Sequence, residues 1–222
     1  MKRLRSILKI SLTVSILLLT VMSIKAQGGE GVYLNGYALY AFDDSFDSYY
    51  SGGRYYEAKI KGGLQWGAGV EYRVQPETGV ELLYLRQDTN APTSYFALEQ
   101  KFTDFDLGIN YIMVGGNRHM PIGTGNVEGD FGLMVGMIIA DLNDPNSSYS
   151  DTATKFAWGL RGGVTVWATE KVGIKLQAQL LSAVQSMGGG FYFGTGGAGA
   201  GLSSYSTIYQ FGLGGGLAFN LN

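Results

Sequence analysis

The segment GGLQWGAGVEYRVQPETGVELLYLR, residues 62–86, decides the fold. Its even positions from 64 to 74 are all apolar: Leu64, Trp66, Ala68, Val70, Tyr72 and Val74. The odd positions between them are small or polar, and this period of two is typical of a strand with one apolar and one polar face. Residues 75–78 suit a tight turn, and a second strand begins at Gly79. Each arm has about ten residues, enough to cross a hydrocarbon layer as a tilted strand.

The composition agrees with strands joined by turns. The 222 residues include 35 glycines and 15 tyrosines, and only 15% of them are charged. These values are unlike those of a typical soluble helical protein and predict a single all-β domain. Because the chain has no cysteine, disulfides and thiolate metal sites are excluded.

Residues 1–26 have the layout of a cleaved signal peptide. A basic head precedes an apolar stretch over residues 12–22, and the segment ends at the small residue Ala26. An uncleaved anchor is the alternative, but the apolar stretch is shorter than the roughly 20 residues of a spanning helix. We therefore predict a barrel domain over residues 27–222. Its 11 basic and 18 acidic residues, a charge of −7, argue against nucleic acid as a partner.

The alternation predicts eight strands, at residues 31–42, 64–74, 79–87, 97–113, 127–142, 156–166, 172–180 and 207–221. Long loops are expected at 43–61, 88–94, 143–155 and 186–206, and four-residue turns at 75–78 and 168–171. The connection over residues 114–126, which contains the only histidine, His119, is an exception to the alternation of long and short links. This arrangement predicts an all-β, eight-stranded antiparallel up-and-down transmembrane β-barrel with both termini in the periplasm.

Side-chain volume and charge indicate which face is inside. The apolar faces carry more aromatic rings than the narrow lumen of eight strands can hold: Trp66, Tyr72, Tyr84, Tyr111, Phe131, Trp158, Tyr209, Phe211 and Phe219. On the lipid side, a charge at mid-membrane would cost roughly 2–4 kcal/mol. We therefore predict an ion-paired interior containing Glu71, Arg73, Glu81, Asp104, Asp106, Glu128, Asp130, Arg161 and Lys175. Leu83, Leu85 and Trp167 also fall on the inner face, and Tyr40, Tyr72, Tyr111 and Phe219 are candidates for interfacial belts.

Residues 26–222 resemble the small eight-stranded outer-membrane barrels of Gram-negative bacteria, of which the OmpA transmembrane domain and OmpX are the best-known types. The resemblance is carried by the signal peptide, VEYRVQPETGVELLYL, VEGDFGLMVGMIIA and FGLGGGLAFNLN. It implies an outer-membrane location and assembly by the barrel-insertion machinery. Family barrels usually end on an aromatic residue, whereas here Phe219 lies three positions before the end.

Two motifs of the sequence are candidates for nucleotide binding or catalysis. Residues 194–199, GTGGAG, match GxGxxG, but no helix is expected after them, so a flexible loop is favoured over a nucleotide site. A Ser-His-acid site requires a histidine near the serine, and His119 is expected on a periplasmic connection away from the serine-bearing loops. We therefore expect no enzyme activity, no cofactor and no metal centre.

The charged interior has two functional interpretations. It is either a cation-selective conduit, since six acids face three bases, or a plug of ion pairs, which the narrow lumen favours. The outer loops offer contact candidates at Asp43, Asp44, Asp47, Tyr49, Tyr50, Tyr55, Tyr56, Phe191, Tyr192 and Phe193. Their acids could also bind a divalent cation at the lipopolysaccharide surface.

The predicted function is therefore that of a structural and surface-interaction protein of the outer membrane. A narrow porin-like pore for small ions or solutes is the alternative, and a soluble secreted barrel with an apolar ligand is a third possibility. Expected partners are outer-membrane lipid, lipopolysaccharide and the insertion machinery, and the chain is expected to be a monomer.

Overall fold

The computed structural model describes residues 30–50, 54–96, 100–123, 126–145, 150–184, 191–194, 197–200 and 208–222. The predicted signal peptide lies outside these residues. The strands are β1 Gly31–Ala41, β2 Asp44–Tyr50, β3 Arg54–Ile60, β4 Gly63–Gln75, β5 Thr78–Phe96, β6 Gln100–Pro121, β7 Val127–Asn143, β8 Ser150–Trp167, β9 Val172–Val184, β10 Phe191–Gly194, β11 Gly197–Ala200 and β12 Ile208–Asn220. The described residues contain no helix long and apolar enough to cross a membrane.

Eight of these strands form a closed antiparallel barrel, which confirms the predicted fold class. The ring runs β1, β4, β5, β6, β7, β8, β9 and β12, and β12 pairs with β1 to close it. Short connections at residues 76–77, 122–126 and 168–171 share one end of the barrel, here called the turn end. The opposite end, which carries the longer insertions, is called the loop end. β2 and β3 form a hairpin there that also pairs with β5, and β10 and β11 form a second hairpin.

A belt of exposed apolar side chains surrounds the barrel. Each of the eight strands contributes to it, with Leu34, Trp66, Leu82, Ile112, Leu133, Phe156, Leu176 and Leu213 as examples. So continuous an apolar surface is not expected on a folded protein that is surrounded by water. The belt therefore matches the hydrocarbon layer, as the side-chain volumes predicted.

One side of the barrel wall is much taller than the other. β5, β6, β7 and β8 have 17–22 residues, whereas β1, β4, β9 and β12 have 11–13. Residues 90–96 of β5 continue past the end of β4 and remain paired with β6. At about 3.3 Å per residue, the tall wall projects roughly 20 Å beyond the rest of the barrel at the loop end.

Several segments predicted to be loops are strands. The segment 43–61 contains the β2–β3 hairpin, and residues 88–94 belong to β5. β8 begins at Ser150, inside the loop predicted over 143–155, and the glycine-rich loop contains β10 and β11. These predictions failed because they took polar residues as a sign of loops, which holds only for strands with one buried face. The tall wall stands in water, and there a strand of polar residues is stable once it is paired with its neighbours.

The connection predicted over residues 114–126 is also wrong, because β6 continues to Pro121. Its paired glycines, Gly115 and Gly116, resembled a turn but lie within the β6–β7 ladder. Only residues 122–126 connect the two strands. All three links at the turn end are therefore short, and His119 lies on a strand.

The two faces of β6 are reversed relative to the prediction. Phe105, Leu107, Ile109, Tyr111 and Met113 point into the lumen and are buried. Asp104 and Asp106 consequently lie on the outer face, where Asp104 is half-buried and Asp106 exposed. Tyr111 is fully buried and is no part of an interfacial belt. The rule that apolar faces point outward failed here because this part of β6 lies in the loop-end half of the barrel, whose lumen is itself apolar.

Two glycines of β12 permit close contact across the seam where the barrel closes, and a third permits close contact with β9. A Cβ at Gly214 would overlap the backbone oxygen of Ala38, and one at Gly216 would overlap that of Gly36. A Cβ at Gly215 would overlap the backbone oxygen of Lys175 on the other side. The strands meet here at a separation that excludes any side chain.

Candidate functional site: the barrel lumen

Charged side chains fill the half of the lumen nearer the turn end, here called the turn-end half. Its first cluster is centred on Glu81 of β5, which is 1% exposed. Glu81 accepts hydrogen bonds from Tyr37 at 2.7 Å, Asn35 at 3.0 Å and Asn117 at 3.3 Å, and it forms an ion pair with Arg161. Arg161 also donates to Asn117 at 2.8 Å and to Tyr37 at 3.2 Å. Both buried charges are thus paired and hydrogen-bonded, the condition under which a buried ion pair is tolerated.

A second cluster lies closer to the turns. Arg73 of β4 binds Glu128 of β7 through two hydrogen bonds of 2.9 Å each, the two-pronged geometry in which guanidinium and carboxylate match. His119 connects this pair to Glu71: its Nε2 lies 2.6 Å from Glu71 Oε1, and its Nδ1 lies 3.3 Å from Arg73 Nη2. Trp167 donates its indole N–H to Glu128 at 3.2 Å. The network crosses the lumen from β4 to β7 and β8.

Inward-facing glycines make room for these clusters. A Cβ at Gly69 would overlap the carboxylate of Glu81, and one at Gly132 would overlap Asn117 Oδ1 and approach Arg161. Glycine usually weakens a strand because it is flexible and has no side chain to pack. Here the missing side chains leave space that the neighbouring charged side chains fill. The alternation of glycine with charge on the inner face is therefore a packing pattern.

Some buried polar atoms in the turn-end half make no hydrogen bond among the described residues, and Arg73 Nε is one of them. Asp130 Oδ1 and Gln177 Oε1 make no hydrogen bond there, although both side chains are buried. The ammonium of Lys175 has no carboxylate within 4 Å, and it lies 5.8 Å from the ring centre of Tyr37. Asp130 and Gln177 flank Gly163 in the ladder, so these groups occupy one sector of the lumen.

The half of the lumen nearer the loop end, here called the loop-end half, is mainly apolar. Its buried side chains include Leu39, Leu83, Leu85, Ile109, Met113, Met134, Ile138 and Leu181. Tyr111 donates across the lumen to Gln210 at 2.8 Å, and Gln210 donates to Gln87 at 3.0 Å. Gln179 and Gln65 form a second amide pair. Aliphatic packing and amide bonds together fill most of this half, which also contains the buried Lys155 of β8.

The structure brings together seven of the nine charges predicted for the interior. Glu71, Arg73, Glu81, Glu128, Asp130, Arg161 and Lys175 face the lumen. Asp104 and Asp106 do not, as described above. Asp104 lies 3.5 Å from Lys61, and Asp106 accepts a hydrogen bond from Asn90 at 3.2 Å. Both belong to the outer surface of the tall wall.

Sequence reasoning missed His119 and the neutral members of the network. His119 was expected at the surface but is 2% exposed inside the barrel. Its signal was available: Asn117 and His119 continue the inward parity of Tyr111 and Met113, while Val114 and Met120 continue the outward one. Asn35 and Tyr37 are likewise on the inward parity of β1, between charges on the neighbouring strands.

The external contact candidates fall on the loop-end insertions. Asp43 pairs with Lys59, and this hydrogen bond, together with one of 2.6 Å from the backbone N–H of Gly62, holds the pKa of Asp43 below its usual range. Asp44 accepts a bond of 3.0 Å from the backbone N–H of Tyr209. The other candidates are Asp47, Tyr49 and Tyr50 in β2, Tyr55 and Tyr56 in β3, and Phe191, Tyr192 and Phe193 in β10. Their side chains lie outside the described part of the structure, so their contact role stays a prediction.

The lumen holds most of its titratable groups in contact with one another. Its ionic groups are buried, and its single histidine is held between Glu71 and Arg73. Within the described ranges, no group of three or more His, Asp or Glu side chains is arranged to hold a metal ion.

The closed ring, the apolar belt and the polar lumen together define a small transmembrane barrel of the outer-membrane type. Known structures confirm this class. The chain is similar to Neisserial surface protein A, with 15% sequence identity and a TM-score of 0.55, over 88% of this chain and 100% of that chain. It is also similar to the outer membrane protein OprG from Pseudomonas aeruginosa, with 15% identity and a TM-score of 0.53, over 88% and 99% of the two chains.

The outer membrane protease OmpT from Escherichia coli also matches, with 7% identity and a TM-score of 0.45 over 90% of this chain and 99% of that one. At such identities the likeness shows the fold alone, and the OmpT match is too weak to support an argument about activity. No protein-family model matches the chain, and no curated protein sequence matches it.

Proposed function

We propose that this chain is an integral outer-membrane protein with a closed lumen, and that it acts at the cell surface through its loop end. The observation that carries the proposal is the complete chain of lumenal contacts from β4 to β8, with Arg161 bonded to Glu81 and Arg73 to Glu128. A conducting path would have to break such contacts, and separating one buried ion pair costs several kcal/mol.

The loop-end half supports the same conclusion by a different interaction. Leu83, Leu85 and Leu181 are essentially unexposed and pack in one apolar cluster. An ion crossing this half would lose its hydration against a mainly aliphatic lining whose amide and phenol groups are already bonded to one another, which is unfavourable. Two unlike barriers in series favour a plug over a conduit.

We propose further that the chain is not an enzyme. His119 is the only histidine, and its burial between Glu71 and Arg73 leaves it out of reach of a substrate at the surface. A surface role is supported instead by the tall wall and by the tyrosine-rich insertions, since loops on a rigid scaffold often carry binding functions. Asp47, Tyr49, Tyr50, Tyr55 and Tyr56 stay the predicted contacts.

The deciding experiment is the conductance of the refolded mature chain in planar bilayers, beside an Arg73→Ala/Arg161→Ala variant. We expect silence from the native chain and transient openings from the variant, because the variant removes both guanidinium bridges. A Leu176→Ala variant on the lipid-facing side is the matched control and should stay silent. Steady cation-selective current from the native chain would refute the plug.

A narrow pore is the second candidate, and one observation favours it. Asp130 Oδ1 and Gln177 Oε1 make no hydrogen bond among the described lumenal residues, and such oxygens could coordinate a passing cation. If the native chain conducts, the current of an Asp130→Asn variant should lose cation selectivity. Unchanged selectivity would remove Asp130 from the path.

A further inference from the structure

His119 lies inside the turn-end half of the lumen, with a polar group against each of its ring nitrogens. Its Nε2 lies 2.6 Å from Glu71 Oε1, and its Nδ1 lies 3.3 Å from Arg73 Nη2. Histidine is the side chain whose charge changes most readily between about pH 5 and pH 8. These two contacts therefore determine how the cluster responds to acid.

The contact at Nδ1 identifies the tautomer of His119. A guanidinium only donates hydrogen bonds, so Nδ1 must accept the bond from Arg73 and carries no proton. Nε2 then carries the single ring proton and donates it to Glu71 Oε1, which also accepts a bond of 3.0 Å from Asn117. In this arrangement the imidazole is neutral.

A neutral His119 leaves the charges of the turn-end half unbalanced. Among the described residues this half contains four acids and three bases: Glu71, Glu81, Glu128 and Asp130, and Arg73, Arg161 and Lys175. Two of the acids lie on the neighbouring strand β7. Asp130 is opposite His119 in the β6–β7 ladder, and Glu128 Oε2 lies 3.9 Å from Nδ1. Uptake of one proton by His119 would remove the excess negative charge, which is favourable where water is excluded.

The additional proton conflicts with the position of Arg73. At Nδ1 it would point at Arg73 Nη2, which is also a donor, and the acceptor beside it is Glu128 Oε2. That oxygen already accepts bonds from Arg73 Nη2 at 2.9 Å and from the Trp167 indole at 3.2 Å. A carboxylate oxygen offers about two acceptor sites, so a third donor must displace one of these. Repulsion between the imidazolium and the guanidinium makes Arg73 the group that is displaced.

Arg73 retains other contacts when that bond is lost. Its Nη1 bond to Glu128 Oε1, at 2.9 Å, does not involve the contested oxygen. Its guanidinium lies 4.1 Å from the centre of the Tyr33 ring, a cation–π contact. Its Nε makes no hydrogen bond among the described residues, so rotation of the guanidinium breaks no bond there. The displaced side chain stays in the cluster but connects β4 to β7 more weakly.

We infer that His119 is a pH switch on the turn-end closure of the lumen. Neutral His119 permits both hydrogen bonds between Arg73 and Glu128, whereas protonated His119 takes Glu128 Oε2 and leaves one. The switch rests on the closed lumen proposed above and adds acid as the condition that weakens it. The Glu81–Arg161 pair and the apolar loop-end half are unaffected, so acid loosens one barrier of several.

NMR of the refolded, untagged chain, isotope-labelled at histidine nitrogen, tests the proton positions, because His119 supplies the only imidazole signal. At about pH 8 we expect a protonated Nε2 and a bare Nδ1, and at about pH 5 we expect both nitrogens to be protonated. An imidazolium at both pH values, a neutral ring at both, or a proton on Nδ1 alone would each refute the switch.

Planar-bilayer conductance of an Arg161→Ala variant tests the displacement of Arg73. This variant lacks the other guanidinium bridge, so the Arg73–Glu128 pair limits its transient openings. We expect openings to become roughly tenfold more frequent between about pH 8 and about pH 5, the effect of losing one hydrogen bond between charged groups. The matched control, Arg161→Ala/His119→Gln, keeps every lumenal carboxylate but cannot take up the proton, and its opening frequency should stay nearly the same.

An equal response to acid in this control would assign the effect to carboxylates and overturn the switch, as would an unchanged frequency in Arg161→Ala. If Arg161→Ala does not fold, the guanidinium NMR signals of Arg73 in the native chain report the same displacement. They should shift together with the titration of His119, and signals that stay constant through it would refute the displacement. Steady current from the native chain at neutral pH would refute the closed lumen but leave the NMR result on His119 unaffected.

Discussion

Side chains fill both halves of the lumen, but one half is filled by ion pairs and the other mainly by aliphatic groups. In the turn-end half, Glu81 and Arg161 are buried as an ion pair within a network of amides and a phenol. In the loop-end half, Leu83 and Leu85 occupy the same inward face of the same strand, only two and four residues further on. The packing of the turn-end half depends on ionic and hydrogen-bond partners, whereas the packing of the loop-end half depends on side-chain volume.

This difference predicts different responses to substitution. Removing one member of a buried pair leaves an uncompensated charge, whereas removing a buried aliphatic group leaves a cavity. The polar half should therefore be sensitive to which partner is lost and should be rescued by a second change. The apolar half should respond in proportion to the volume removed.

The largest effect is expected for Arg161→Ala. It leaves the Glu81 carboxylate buried without its cation and should lower the free energy of unfolding by roughly 3–5 kcal/mol. Urea unfolding of the refolded chain in lipid vesicles, followed by tryptophan fluorescence, measures this change. Adding Glu81→Gln should recover much of the loss, and a loss below about 1 kcal/mol in the single variant would contradict a structural ion pair.

A somewhat smaller effect is expected for Leu85→Ala in the loop-end half. Leu85 is 0% exposed, and truncation of a fully buried leucine costs about 2–4 kcal/mol. The same unfolding assay applies, and Leu85→Met, which keeps most of the volume, should cost less than about 1.5 kcal/mol. Equal losses in the two variants would show that shape, not volume, controls this half.

Gly132→Ala tests whether the inward glycines are spaces. The added methyl would overlap Asn117 Oδ1 and press on Arg161, so we expect a loss of about 1–3 kcal/mol. Gly36→Ala is the control, because a Cβ at Gly36 meets nothing within 4 Å, and it should change stability by no more than about 0.5 kcal/mol. Similar losses at both positions would mean that strand flexibility, not space, explains the glycines.

The smallest effect is expected for Lys175→Met. Its ammonium has no ion-pair partner within 4 Å among the described residues, so an apolar replacement removes a desolvated charge and little else. Stability should stay the same or rise by up to about 1 kcal/mol. A loss as large as that of Arg161→Ala would show that Lys175 is paired as tightly as Arg161, and would remove the distinction between paired and unpaired charges in this half.

Much of the barrel could be predicted from the period of two. In β4 every apolar position faces lipid and every inward position is small or polar, so the alternation of Trp66 and Val70 with Glu71 and Arg73 identified both faces. Wherever lipid contacts the wall, the outward residues must be apolar, and this requirement sets the alternation. Strand existence was therefore predictable within the membrane, and so was orientation except on β6, where Tyr111 and Met113 face the lumen on either side of the belt residue Ile112.

Beyond the membrane the same reasoning failed. On β6, Asp104 and Asp106 stand above the belt, where water accepts a charge on the outer face at no cost, and Phe105 and Leu107 seal the inside. The alternation of polar and apolar residues is the same whether the charges face outward or inward, so it cannot show which face of the strand lines the lumen. The inward position of Asn35 and Asn117 follows from parity, but their partners were unpredictable, because these depend on which strands become neighbours when the ring closes.

The glycine seam between β12 and β1 bears on how the barrel is assembled. Closure happens once, when the last strand meets the first, and here the two approach through Gly214 and Gly216 with no side chain between them. At these two positions the joint is made by backbone hydrogen bonds, while side-chain contacts across it lie towards its ends, such as Phe42 against Phe211. A residue larger than glycine at position 216 is therefore expected to lower the yield of closed barrels as well as the stability of those that close, since its overlap with the Gly36 oxygen is present in the closed ring.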